Sequence, residues 1–227
     1  MRVRVWDLPT RIFHWALVAC VIGAFVTAKI GGTAMLWHGR LGLTILGLLV
    51  FRLAWGVVGS TYARFATFVR GPAAVMATLK HGWDGAGHNP LGALSVLAML
   101  AVLSLMVGTG LFGNDDIAFE GPLYALVGKE LSDRLTGIHH LGEKAVIVLV
   151  LLHVAAIAFY ARVKRRNLVK PMLTGIDDLP AGASASGGGL FAFFVAAALA
   201  AAAVFAASGA LLPPPPPPPA AGSAPDF

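Results

Sequence analysis

Five apolar runs limit what this chain can become. They cover Ile12–Ala28, His38–Val58, Leu91–Phe112, Ile138–Tyr160 and Leu190–Leu212, or 17, 21, 22, 23 and 23 residues. A bilayer core about 30 Å thick is crossed by roughly 20 apolar residues rising ~1.5 Å each. Every run therefore reaches across, the first with Thr10 and Arg11 extending its opening turn into the headgroups. The runs take up 106 of 227 residues, and only 12% of the chain is charged, with a mean hydropathy of +0.77. Soluble domains carry about twice that share of charge, at about a quarter. A soluble enzyme is excluded, and so is a wholly disordered chain. The pattern predicts an all-α integral membrane protein, a four-helix transmembrane bundle plus a fifth C-terminal transmembrane helix.

The net charge of +6 gains meaning from its distribution. Eleven basic residues fall in alternate segments: Arg2, Arg4 and Arg11 before or at the first run, then Arg64, Arg70 and Lys80, then Arg162, Lys164, Arg165, Arg166 and Lys170. The opposite loops hold Lys29, Lys129 and Arg134, and the third loop is acidic, with Asp115, Asp116, Glu120, Glu130 and Asp133. The positive-inside rule predicts a cytoplasmic N-terminus and a C-terminus on the outside. The charge is explained by topology and needs no nucleic acid. A cleavable signal peptide at the first run is disfavoured, because no small-x-small site follows Ala28 and the run contains a histidine. Cys20 is the single cysteine, which excludes an internal disulfide, a cysteine-based zinc site and a CxxCH haem attachment. In the second loop Pro72–Lys80 reads as an interfacial helix, with Phe65, Phe68 and Trp83 as headgroup-level anchors. Residues Gly182–Gly189 read as a small-residue hinge, Pro213–Pro219 as a polyproline rod of about 22 Å, and the last residues as disordered.

The chemistry lies in the histidines. There are seven: His14, His38, His81, His88, His139, His140 and His153. Strongly polar groups inside a span usually face the bundle and serve a function. His139 and His153 are 14 residues apart, about 40° short of four whole helical turns and about 21 Å along the axis. They share a face near opposite membrane surfaces. His140 points about 140° away from His153 and ranks behind His139 as a candidate. By topology His14 lies at the depth of His153, and His38 at the depth of His139. Two facing neutral imidazoles are the ligand set of a six-coordinate haem iron. Two such pairs predict two haems stacked across the membrane, the inner held by His14 with His153 and the outer by His38 with His139. His81 and His88 read as ordinary loop residues.

Other polar residues are placed to support these sites. Arg40 follows His38 closely and Glu143 lies one turn beyond His139, where either can act on the outer haem or on a ligand's free ring nitrogen. Arg11 and Arg52, near the cytoplasmic side, can neutralise inner haem propionates. Gly39, Gly42, Gly108 and Gly142 would let a flat macrocycle lie close to backbone. A histidine-based proton or metal-ion transporter is the competing reading; it requires acids or amides at mid-depth and broken helices. A purely structural anchor would not need four pairable histidines.

Several motifs are similar to those of the bacterial cytochrome b561 family, which includes b-type cytochrome subunits of nickel–iron hydrogenases. The first is Trp6-Asp7-Leu8-Pro9-Thr10-Arg11-Ile12-Phe13-His14-Trp15, followed by His38-Gly39-Arg40-Leu41-Gly42. Further matches are Arg52 with Trp55-Gly56, Ala63-Arg64-Phe65, Gly87-His88-Asn89-Pro90, Glu120-Gly121-Pro122-Leu123 and the His139–His153 helix. The resemblance covers about residues 3–170. It implies a four-helix bundle holding two b haems, with ligands at His14, His38, His139 and His153, that passes electrons between quinone and a redox partner. The acidic third loop suits a basic or haem-bearing partner, such as a c-type cytochrome or a hydrogenase. The chain then divides into a di-haem domain (1–170), a cytoplasmic linker (171–189), the fifth helix (190–212) and a Pro-rich periplasmic tail (213–227). The fifth helix and the tail stand outside the family pattern.

Overall fold

Asp7 sets the start of the bundle. It follows a short strand, β1 (Arg2–Arg4), and its carboxylate accepts the Thr10 amide at 2.7 Å. That cap, with Pro9 in the first turn, launches α1 (Leu8–Ile30), which stops at Gly31, where φ is +69°. A 3₁₀ turn, Gly32–Ala34, reverses the chain into α2 (Met35–Val58). Two short helices follow, α3 (Phe65–Phe68) and α4 (Pro72–His81). Asn89 then caps α5 (Pro90–Gly110) by accepting the Gly92 amide at 2.6 Å, with Pro90 in the first turn. The remaining elements are α6 (Lys129–Arg162), α7 (Val169–Thr174), β2 (Ile176–Asp178) and α8 (Gly189–Ala207). The computed structural model describes residues 1–83, 85–179 and 182–213. The expected polyproline rod beyond Pro213 and the tail after it lie outside the described residues.

Five helices, α1, α2, α5, α6 and α8, are long and apolar enough to cross a membrane. The protein is an all-helical, multi-pass membrane bundle. Two helices differ in length from the apolar runs. The fourth run is contained in a 34-residue helix that begins at Lys129, nine residues before Ile138. Its extension is polar, held by the i,i+4 pairs Lys129–Asp133 and Glu130–Arg134, and so escapes a search for apolar residues. The fifth helix ends at Ala207, because Ser208 and Gly209, with φ at +81°, turn the chain. A side chain at Gly209 would run into the Pro122 carbonyl of the third loop.

The helices do not pack evenly. The close contacts are α1 with α2, α2 with α8, and α5 with α6, with α2 also touching α5. The central core joins Phe13, Ile45, Leu49, Leu100 and Val107. Among the described residues α6 has no comparably close packing against α1 or α2. Only Ser132, Gly142 and Val146 are buried along its length, and on α1 only Thr10 and Phe13. Gly142 marks the tight side of α6, where an added Cβ would strike Met106 Sδ on α5.

At one end the loops form a small folded layer. Strands β1 and β2 pair antiparallel, with Arg2 opposite Asp178, Val3 opposite Asp177 and Arg4 opposite Ile176. Val3, Val5, Trp6 and Leu179 form a second core with Tyr62, Ala86 and Met172. The three basic segments therefore meet on one side. Asp7 ties this layer to the bundle, its second oxygen accepting from Trp55 Nε1 at 3.0 Å and from the Ser60 hydroxyl. Both donors are buried. Asp7→Ala removes a helix cap and strands two buried donors, an expected cost of about 3 kcal/mol. Thermal unfolding in detergent checks this; an unchanged midpoint would show that the layer does not depend on Asp7.

Candidate functional site

Histidines face each other at two levels of the bundle. His14, on α1, meets His153 on α6 with ring centroids 6.5 Å apart and planes tilted by 49°. His38, at the start of α2, meets His139 on α6 at 6.0 Å and 79°. The pairs are separated by about 21 Å along α6. They bridge the gap where α6 stands off from α1 and α2. His140 is exposed and flanks His139 at 6.4 Å.

Ring orientation at the outer pair is fixed from behind. His38 Nδ1 lies 3.0 Å from the Ala24 carbonyl and His139 Nδ1 lies 2.8 Å from the Met106 carbonyl. A carbonyl only accepts, so both Nδ1 atoms carry the proton and both Nε2 lone pairs are free. His14 Nδ1 finds no hydrogen-bond partner among the described residues.

These distances have a chemical reading. Centroids 6.0 and 6.5 Å apart leave a gap too wide for hydrogen bonding between the rings. Two metal–nitrogen bonds of about 2 Å, plus about 1 Å from each nitrogen to its ring centre, span about 6 Å. Among the described residues no group of three His, Cys, Asp or Glu gathers around either pair. A bare ion would have two protein ligands, whereas a porphyrin supplies the four that are missing. The donor set suits haem. Gly42, one turn beyond His38, has nothing within 4 Å of an added Cβ, which leaves room for a flat group; Gly39 is instead covered by Phe119.

The other candidates are distributed as follows. Arg52 is almost fully buried at the inner end, donates to the Ala63 carbonyl at 3.0 Å and lies over the Phe65 ring. Arg11 donates to the Leu173 carbonyl, which ties α1 to α7. Arg40 is exposed and stacks over Trp37. Glu143 pairs with Lys29 at 2.8 Å, and the Nδ1–H of His139 goes to the Met106 carbonyl instead.

His88 is the residue that reading the sequence as a loop missed. Its ring sits 4.7 Å from Trp6 and 4.7 Å from Phe68, and its Nδ1 is buried with no partner among the described residues. Burial, with Arg52, His153 and His14 adding to it, pushes its imidazolium down to about 3. The ring is therefore neutral at physiological pH. Its place in the Gly87–Pro90 motif was the signal that could have found it.

The match to the prokaryotic cytochrome b561 family runs over residues 5–175, most of the chain and all four histidines of the two pairs. The chain belongs to this family. It is a membrane electron-transfer cytochrome, and its cofactor is haem b. Three relatives are each called a probable Ni/Fe-hydrogenase B-type cytochrome subunit. Those of Azotobacter vinelandii and Azotobacter chroococcum are 27% identical, and that of Rhizobium leguminosarum is 24% identical. Each alignment covers 76% of this chain and 87% of the relative. No solved structure matches the chain.

Proposed function

We propose that this cytochrome holds two b haems, one at each histidine pair, and passes electrons across the bacterial inner membrane between the quinone pool and a redox partner. The observation that carries this reading is the repeat of one arrangement at two depths, facing imidazoles 6.5 and 6.0 Å apart on helices that stand away from each other. Haem iron supplies the one-electron couple when bound. His14 with His153 and His38 with His139 would hold the two haems. The Ala24 and Met106 carbonyls fix the outer rings. Arg11 and Arg52 supply positive charge at the inner level, and Arg40 supplies it at the outer. The Lys29–Glu143 pair keeps the outer surroundings near neutral.

Orientation follows from the charge pattern. The basic segments gather at the end that carries β1, β2 and the inner pair, which supports a cytoplasmic setting for that end and a periplasmic one for the C-terminus. The acidic third loop then faces the periplasm. The names of the relatives support a hydrogenase as the partner there; a c-type cytochrome is the other partner this surface suits.

The reading is tested by a reduced-minus-oxidised spectrum of the purified protein with haem and protein counted together. Two b-type haems per chain are expected. A ratio near one would leave one histidine pair without a cofactor and overturn the two-site arrangement.

A further inference from the structure

The polar atoms left over at the inner end ask for a particular kind of ligand. Among the described residues His14 Nδ1, His88 Nδ1, Arg11 Nε and Arg64 Nε are buried without a hydrogen-bond partner. All four belong to the end where His14 meets His153. A guanidinium nitrogen can only donate, and a neutral imidazole donates from one nitrogen. Asp7, the carboxylate that reaches this region, is already occupied by Thr10, Trp55 and Ser60. The missing complement is an acceptor, and Arg52 buried nearby makes a negative one favourable.

Position narrows the choice. Trp6 and Phe68 clamp the His88 ring, the Phe68 ring lies 6.0 Å from the Arg52 guanidinium, and Phe65 beside it packs into the core that holds Phe13, the neighbour of His14. His88 therefore stands at the inner end of the bundle without being part of the pair. Arg64 directly follows Ala63, whose carbonyl holds the Arg52 guanidinium at 3.0 Å. We propose that His88 and Arg64 hold a carboxylate side arm of the haem bound between His14 and His153, His88 as hydrogen-bond donor and Arg64 as charge partner. This rests on the two-haem reading above. Both are positioning residues: they fix how the macrocycle is turned in its slot and stabilise its reduced state by drawing charge from the carboxylate.

The test is a redox titration and a resonance Raman spectrum of the detergent-purified chain, in the wild type and in His88→Phe, His88→Gln, Arg64→Met and Arg64→Lys. His88→Phe and Arg64→Met are expected to keep both haems. Each should lower the inner haem's ferrous-to-ferric ratio at fixed potential by roughly three- to tenfold, tenfold being about 59 mV for a one-electron couple. The propionate bending band should move with it, and the outer haem should not change. His88→Gln keeps a donor and Arg64→Lys keeps the charge, so both should stay close to wild type. An inner potential and a propionate band unmoved in His88→Phe and Arg64→Met overturn the inference. A shifted potential with an unmoved band also overturns it, because the donors would then be serving another anion, such as a lipid phosphate. If His88→Phe does not assemble, Arg64→Met against Arg64→Lys decides by the same criteria. A wild type with no inner haem overturns the two-haem reading itself, whereas two haems with silent variants overturn only this assignment.

Discussion

Replacing His153 with alanine is expected to take the haem count from two to about one and to leave the outer haem's band and potential in place. His153 is the α6 half of the inner pair, and His14 alone would leave the proposed inner haem with a single protein ligand. Changes merely behind a metal ligand cost roughly 10- to 100-fold in affinity, so loss of a ligand itself should exceed that range. The outer pair lies about 21 Å away, and its rings are held by the Ala24 and Met106 carbonyls. His14→Ala should give the same result, since the two rings act as one clamp. Haem counting and a redox titration in detergent check both variants. Loss of the outer haem alone from His153→Ala would show that the pairing by depth is inverted.

The second large effect separates two adjacent histidines. His139→Ala should remove the outer haem, whereas His140→Ala should retain both with spectra unchanged. His139 faces His38 at 6.0 Å with Nδ1 anchored on the Met106 carbonyl, so its free nitrogen is aimed before any cofactor arrives. His140 lies exposed, one residue and about 100° further round the helix. Replacing Met106 itself should matter less, since the anchor is its backbone oxygen. A haem count of one in His140→Ala with two in His139→Ala would reverse the assignment.

Much of this arrangement was legible in the sequence because a membrane helix is a regular ruler. The 14-residue spacing from His139 to His153 predicts a shared face, and the structure places both rings on the side of α6 that meets His14 and His38. What escaped depends on contacts between distant segments. Pairing of β1 with β2 joins residues 2–4 to 176–178, and no local pattern announces it. Asp7 looks like a helix cap, which it is, but its hold on Trp55 and Ser60 depends on how α1 and α2 cross. His88 reads as a solvated loop histidine until Trp6 and Phe68 close over it. Glu143 shows the limit of spacing alone. It lies one turn from His139, yet Lys29 on another helix takes its carboxylate.

The vertical offset of the two pairs has a consequence for energy conservation. An electron moving from the level of His38 and His139 to that of His14 and His153 travels up to about 21 Å of a roughly 30 Å insulating layer. One elementary charge crossing the full membrane potential exchanges about 2.3 kcal/mol per 100 mV, so this step exchanges about 1.6 kcal/mol, or roughly fifteenfold in its equilibrium. In the proposed orientation, with the inner pair on the cytoplasmic, negative side, an energised membrane would oppose inward transfer and assist outward transfer. Under the two-haem arrangement proposed above, the two redox levels would thus be coupled to the transmembrane voltage by their placement alone, and the balance between them would shift as the cell charges or discharges its membrane.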